Sequence, residues 1–301
     1  NGRSYVKLVD GMIPEPFRLY TSLTTAINTC APMAPQLLEW YCKLGLAEAY
    51  RQLELSQHYG SLMHRLLGKY LMENRIDLDL IPTLTEEYLS EQSYWQAECK
   101  DWANKLKFDV LSFVNFANEY NIQPIGIEYV LLSERYGFGT LIDLVCMMDV
   151  SEAGYHGEVY KSGDKKGQPK ETKRITRKRV IMNFKSGRHG FYPSNGIQAV
   201  AEKLLWEENF PDLPLEGCYN WSPKEWESAP TYNLKDWNDL VDVAEIEAIM
   251  SLAELRFGIK SLNKTYISLS GVAFKGHDVK ECIKIIGVEQ YAKQKFTDLM
   301  I

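Results

Sequence analysis

The run from Gly139 to Met148, Gly-Thr-Leu-Ile-Asp-Leu-Val-Cys-Met-Met, restricts the fold more than any other stretch of the chain. A strand with one wet face alternates apolar and polar residues. A run apolar at successive positions must bury both faces, so this one predicts a central strand with cover on each side. That cover has to come from helices packed in layers. Residues 21–120 supply it, with apolar side chains recurring at helical spacing and a clear stripe of Leu62, Met63, Leu66, Leu67, Tyr70 and Leu71.

The neighbours of the central strand are also legible. Ile125, Ile127, Tyr129 and Leu131 alternate with Gly126, Glu128, Val130 and Leu132, and Val180 to Lys185 makes a third strand. Ser194 is placed to cap a helix whose Ile197, Val200, Ala201, Leu204 and Leu205 lie on one face. Cys218 to Trp237 reads as irregular. A helix near 234–256, a strand near 264–274 and a last helix near 287–299 complete the expectation. With no repeat and no linker, the chain is expected to form one α/β domain with a mixed central sheet flanked by helices. A helical N-terminal elaboration (about 20–120), a core (about 121–210) and a C-terminal extension (about 211–301) divide it.

Composition excludes several classes. Of 301 residues, 45% are hydrophobic and 25% charged, which rules out collagen-like and largely disordered chains. No uncharged apolar run approaches the roughly 18 residues of a membrane span, and no basic stretch precedes an apolar leader. With no initiator Met the chain reads as trimmed, and a cytoplasmic protein without membrane contact is expected. The six Cys include no C-x-x-C pair, so zinc is not expected and reduced thiols are. The net charge of −6 hides a concentration: residues 161–179 hold nine Lys and Arg against Asp164 and Glu171, a segment of +7 on a body of −13. It reads as a long exposed hairpin or loop and suggests a local site for a polyanion, contacted by Lys173, Arg174, Arg177 and Lys178; a merely solvated hairpin is the alternative.

Polar residues interrupt the apolar strands in a pattern. Glu128 shares a strand face with Gly126, Val130 and Leu132; Asp143 lies on the face of Leu141 and Val145; Asn183 and Lys185, two apart, project together. A buried carboxylate costs several kcal/mol unless it is paired or binds metal. Acids and a Lys at the ends of neighbouring strands therefore suggest a divalent-cation site beside an ammonium; strand-end solvation or a Lys–Asp ion pair would account for each residue alone. His64 stands on a helix between Gly60 and Gly68, one turn away on either side. Missing side chains there leave room for a metal or a phosphodiester, or for a helix crossing over a core His.

In this order, Gly60-x-x-x-His64, Glu128, Gly139-Thr140-x-x-Asp143, Asn183-x-Lys185-Ser186-Gly187 and Gln198 resemble the RecB-like branch of the PD-(D/E)XK nuclease superfamily. That branch includes nuclease domains of recombination helicase–nucleases, CRISPR-associated nucleases and phage exonucleases; Thr24-Thr25-Ala26-Ile27 and Leu38-Glu39-Trp40 resemble its phage-type members. The resemblance runs from about residue 20 to 235. It implies a restriction-endonuclease-like fold and Mg²⁺- or Mn²⁺-dependent cleavage of DNA, most plausibly by an exonuclease working with phage replication or recombination proteins. It further implies Asp143, His64, the acid expected at 183 and the Phe184 carbonyl as metal ligands, Lys185 as the group assisting the attacking water, and supporting roles for Glu128 and Gln198. The family's iron–sulfur cysteines have no counterpart in the spacing of Cys218 and Cys282, so no cluster is expected.

One departure matters: Asn183 stands where the pattern has Asp or Glu. An Asp-to-Asn exchange that inactivates the site competes with a natural variant of lost or altered activity, and the intact Lys185 and Asp143 favour the first. A non-catalytic DNA-binding module on a nuclease fold is the rival reading. Glu202, one turn beyond Gln198, reads as a solvated neighbour, and Trp206, Trp221, Trp226 and Trp237 as packing aromatics rather than base-stacking ones.

Overall fold

The computed structural model describes residues 4–6, 19–159, 161–166, 168–188, 190–225 and 229–267. The apolar run lies in its longest strand, β4 (Phe138–Val159), which holds β3 (Gln123–Ser133) antiparallel along one edge. Two strands share the other edge. β5 (Pro169–Phe184) runs antiparallel to β4 and reaches Leu144↔Met182, while β2 (Leu19–Ser22) pairs in parallel with Phe138 and Gly139. Thr140 to Asp143 therefore lie in a gap on that edge, with no ladder partner there among the described residues. β1 (Ser4–Val6) extends the sheet beyond β2, and β6 (Gly217–Pro223) and β7 (Tyr232–Asp236) extend it beyond β5. The β5–β6 pair is parallel and the β6–β7 pair antiparallel, so the sheet is mixed, as expected.

Helices cover both faces. α3 (Leu46–Glu73), α4 (Ile81–Glu91) and α5 (Trp102–Glu119) bury Leu62, Leu66, Phe113 and Phe116 against Leu144, Cys146, Met182, Phe184 and Trp221. α1 (Leu23–Cys30), α6 (Pro193–Asn209) and α7 (Val243–Ile267) bury Ile27, Ile197, Ala201, Trp206 and Ile246 against Tyr129, Ile142, Val145 and Ile181. α2 (Pro35–Leu44) buries no residue. No described helix is long and apolar enough to cross a membrane.

The basic segment forms the long hairpin that was one of its two expected forms, with β5 beginning at Pro169 and pairing with β4. Other sequence expectations change. The stretch expected to be irregular holds β6, every residue of which is buried. Its polar positions hid it: Asn220 accepts from Trp237 Nε1 at 2.6 Å and donates to the Asn183 carbonyl at 3.3 Å, so a polar residue sits satisfied inside a central strand. α6 is capped by Tyr192, not Ser194; Pro193 fills the first helical position and Asn195 accepts from the Tyr192 N–H at 2.9 Å. α7 continues to Ile267 where a strand was expected to begin, and the remainder of that strand, the last helix, Trp226 and Cys282 lie outside the described residues. Trp206, Trp221 and Trp237 are buried.

The strands also break period two at one place. On β4, Ile142 belongs to the α6 side and Leu144 to the α3 side; on β3, Tyr129 belongs to the α6 side and Ile127 packs on the α3 side. The residues between them are Asp143 and Glu128, opposite each other in the register, and Glu128 has φ of +47°. Both strands roll over at this pair. Left-handed backbone in a non-glycine residue costs on the order of 1–3 kcal/mol and is concentrated at functional sites.

Candidate active site

The gap between β2 and β5 is where the predicted residues meet. Asp143 sits on its rim. Where the β4–β5 ladder has ended, the Phe184 N–H donates to the Asp143 carboxylate at 2.7 Å, so a side chain takes over from a backbone carbonyl. The other carboxylate oxygen faces His64 Nδ1 at 3.2 Å. Because the strands roll over here, Asp143 meets α3 through His64 while Val145 packs on the α6 side, so the two do not share a face as alternation predicts. Asp143 and Glu128 sit at the crossing between the faces, which lets Asp143 meet α3 while feeling charges on the α6 side.

α3 brings His64 to the gap, with its imidazole edge-on to the Phe184 ring at 5.7 Å. A Cβ on Gly60 would lie 3.2 Å from Ser186 Oγ, and one on Gly68 would lie 3.9 Å from Ile127. Gly60 therefore lets the helix close on the turn after Lys185, while at Gly68 a side chain would meet only ordinary contact. The His64 side chain is 26% exposed and that of Asp143 10%, so the site opens to solvent on the His64 side.

On the other side of the sheet lies a continuous polar network. Lys185 Nζ donates to Asn183 Oδ1 at 2.7 Å and to Gln198 Oε1 at 2.9 Å. Asn183 Nδ2 donates to Glu202, Gln198 Nε2 donates to the same carboxylate at 2.8 Å, and Thr140 Oγ1 donates to it at 3.1 Å. Asn183, Thr140 and Glu202 are all buried. Glu202 is thus no solvated neighbour, and the sequence signal lay in its spacing: α6 aims Gln198 at Lys185, and a residue one turn on shares that face. Thr140, which the sequence shows only as part of the Gly139-Thr140-x-x-Asp143 pattern, gains a role as a donor to Glu202.

Electrostatics follow from burial. Desolvation pushes the Lys185 ammonium below its ordinary pKa, against the pull of Asp143 and Glu202. It likewise disfavours the Asp143 carboxylate, but His64, Lys185 and the Phe184 N–H outweigh it and hold the group below the usual range. Burial opposes the His64 imidazolium, yet Asp143 raises its pKa overall, helped by Glu128. Glu202 is pushed up to about 7 by burial and by the Asp143 charge.

The basic segment stands elsewhere. It joins the Asp143 and Lys185 strands at their far ends and does not overhang the gap. Arg177 pairs with Asp149 at 2.7 Å, and Asp149 is six residues beyond Asp143, roughly 20 Å along a strand. Lys178 pairs with Glu152, and Arg174 is exposed. The side chain of Lys173 lies outside the described residues.

No protein-family model matches the chain, and no curated protein matches it.

Proposed function

We propose that the chain is a metal-dependent DNA phosphodiester hydrolase of restriction-endonuclease-like fold, an exonuclease acting with phage-type replication or recombination proteins. One observation carries the reading: α3, β4, β5 and α6 bring His64, Asp143, Lys185 and Gln198, far apart in sequence, to one gap in the sheet.

The donors at the gap agree in kind with Mg²⁺ or Mn²⁺. They are the carboxylate oxygens of Asp143 and the His64 nitrogen, hard and borderline ligands. They are not drawn together on one point: among the described residues no three His, Cys, Asp or Glu side chains form a metal-holding group. A bound divalent ion supplies a Lewis acid for a phosphate oxygen and acidifies water. The protein supplies the rest. His64 and Asp143 orient each other, while Asn183 and Gln198 fix Lys185, whose ammonium stabilises negative charge building on the phosphate oxygens. Glu128 lends further negative charge on the His64 side.

End-labelled single- and double-stranded DNA, incubated with Mg²⁺ or Mn²⁺ and either the chain itself or its Asn183→Asp form, tests this. Cleavage by either protein is expected. DNA binding without cleavage by both would leave the non-catalytic DNA-binding module in its place.

A further inference from the structure

A fully buried carboxylate such as Glu202 on α6 is costly unless its surroundings use it. Three donors from three elements converge on it: Asn183 of β5, Thr140 of β4 and Gln198 of its own helix. All three are neutral. In a purely structural anchor, a buried acid is most simply balanced by a cation in direct contact, and Lys185 is within reach of the same network; yet its ammonium goes to the oxygens of Asn183 and Gln198. The network therefore holds an acid in place with no cation in direct contact.

Asn183 is the pivot. Its two ends are told apart by their neighbours, since Lys185 needs an acceptor and Glu202 needs a donor. An amide satisfies both without a proton. An Asp at this position would turn a carboxylate toward the Glu202 carboxylate and could be satisfied only with Glu202 protonated. Asn183 thus matches Glu202 as a pair: an amide on the strand and a carboxylate on the helix, joined by one hydrogen bond. Thr140, which donates to Glu202, lies with Asp143 in the same gap along β4, so this carboxylate belongs to the same site.

We propose that Glu202 is the second carboxylate of the centre, doing from α6 what the nuclease pattern does from position 183, and that Asn183 is a positioning residue suited to it rather than an inactivating exchange. The proposal rests on the nuclease reading, but it makes its own claim about metal binding. Exchanging the members of the pair leaves one amide, one carboxylate and their hydrogen bond in place, so the carboxylate moves from helix to strand with little change in volume.

Mn²⁺ titration by calorimetry and cleavage of end-labelled DNA are measured on the native chain, on Glu202→Gln and on the exchanged pair Asn183→Asp/Glu202→Gln. Glu202→Gln is expected to weaken Mn²⁺ at least tenfold and to reduce cleavage about a hundredfold. The exchanged pair should recover both to within about tenfold of native. Near-ultraviolet circular dichroism confirms that each form is folded; should Glu202→Gln fail to fold, near-native Mn²⁺ affinity in the exchanged pair supports the proposal and its loss overturns it. Mn²⁺ affinity of folded Glu202→Gln equal to native, or no Mn²⁺ binding by the native chain, also overturns it. If the native chain binds Mn²⁺ and Glu202→Gln loses it, while no form cleaves DNA, the nuclease reading falls and the assignment of Glu202 stands.

Discussion

Lys185 and Arg188 stand three residues apart after the end of β5, and each is a largely buried cation, but they are partnered differently. Arg188 meets a carboxylate directly: its guanidinium donates to Asp109 at 2.5 Å, and Asp109 also accepts from the Tyr59 hydroxyl at 2.6 Å. Lys185 meets neutral oxygens, with Asp143 and Glu202 near but not in contact. The first arrangement is a closed ion pair that ties the turn to α3 and α5. The second keeps a positive charge whose direct partners do not cancel it, at a gap in the sheet. The same residue class, a few ångströms of chain apart, serves cohesion in one case and is available for chemistry in the other.

Breaking the two cations should therefore separate stability from activity. Arg188→Ala strips fully buried Asp109 of its guanidinium, and losing one partner of a buried pair costs about 3–5 kcal/mol. Urea unfolding reads that loss directly. Lys185→Met leaves two amide oxygens without their donor but removes a desolvated charge, so stability should change by no more than about 1–2 kcal/mol. Its cleavage should fall about 10²–10³-fold, the usual cost of deleting one preorganised electrostatic group. Equal destabilisation by both variants would show that Lys185 is a structural cation like its neighbour.

How much of this contrast the sequence shows depends on period. The apolar run of β4 and the stripe on α3 are visible because each keeps its repeat. The site is half visible for the opposite reason. Asp143, Asn183 and Lys185 stand out as polar breaks in apolar strands; Asn183 and Lys185 share the face that alternation gives them, but the face of Asp143 does not follow from it, because the strands roll over at Asp143 and at Glu128 with its positive φ. Glu202 is hidden because a helix places an acid one turn after a Gln both when it is solvated and when it is buried. β6 is hidden because its Asn220 is satisfied by Trp237 and Asn183, residues remote in sequence that no local pattern reveals.

The closed pair should also announce itself in the pH dependence of stability. Burial raises the Asp109 carboxyl to about 6, above the roughly 3.9 of an unfolded chain. The folded state thus holds this proton more tightly than the unfolded one. The contribution is fully present below about pH 4 and is lost as pH rises through about 6, a difference on the order of 2–3 kcal/mol. Other carboxylates titrate in the same range, so the useful quantity is the native stability minus that of Asp109→Asn, measured by urea unfolding from pH 4 to 7. That difference should decline across the window. A flat difference would mean that Arg188 fully offsets the burial of Asp109.

The smallest effects belong to cations that are paired in water. Arg177 with Asp149 and Lys178 with Glu152 are half-exposed pairs on the arm of the hairpin, away from the gap. Exposed pairs contribute about 0.2–1 kcal/mol, so Arg177→Gln and Lys178→Gln should each lower stability by about 0.5 kcal/mol or less. Their effect on DNA is limited by the same pairing, since a cation already facing a carboxylate must leave it to reach a phosphate. Neutralising both should reduce the salt slope of DNA affinity by less than about one. Arg174 and the exposed Lys161 and Lys166 are better placed to meet a backbone. Replacing those three with Gln should lower the slope by about one for each phosphate left without its cation. If the two sets of replacements leave equal slopes, both unchanged from native, the arm is a solvated hairpin and DNA is held at the gap alone.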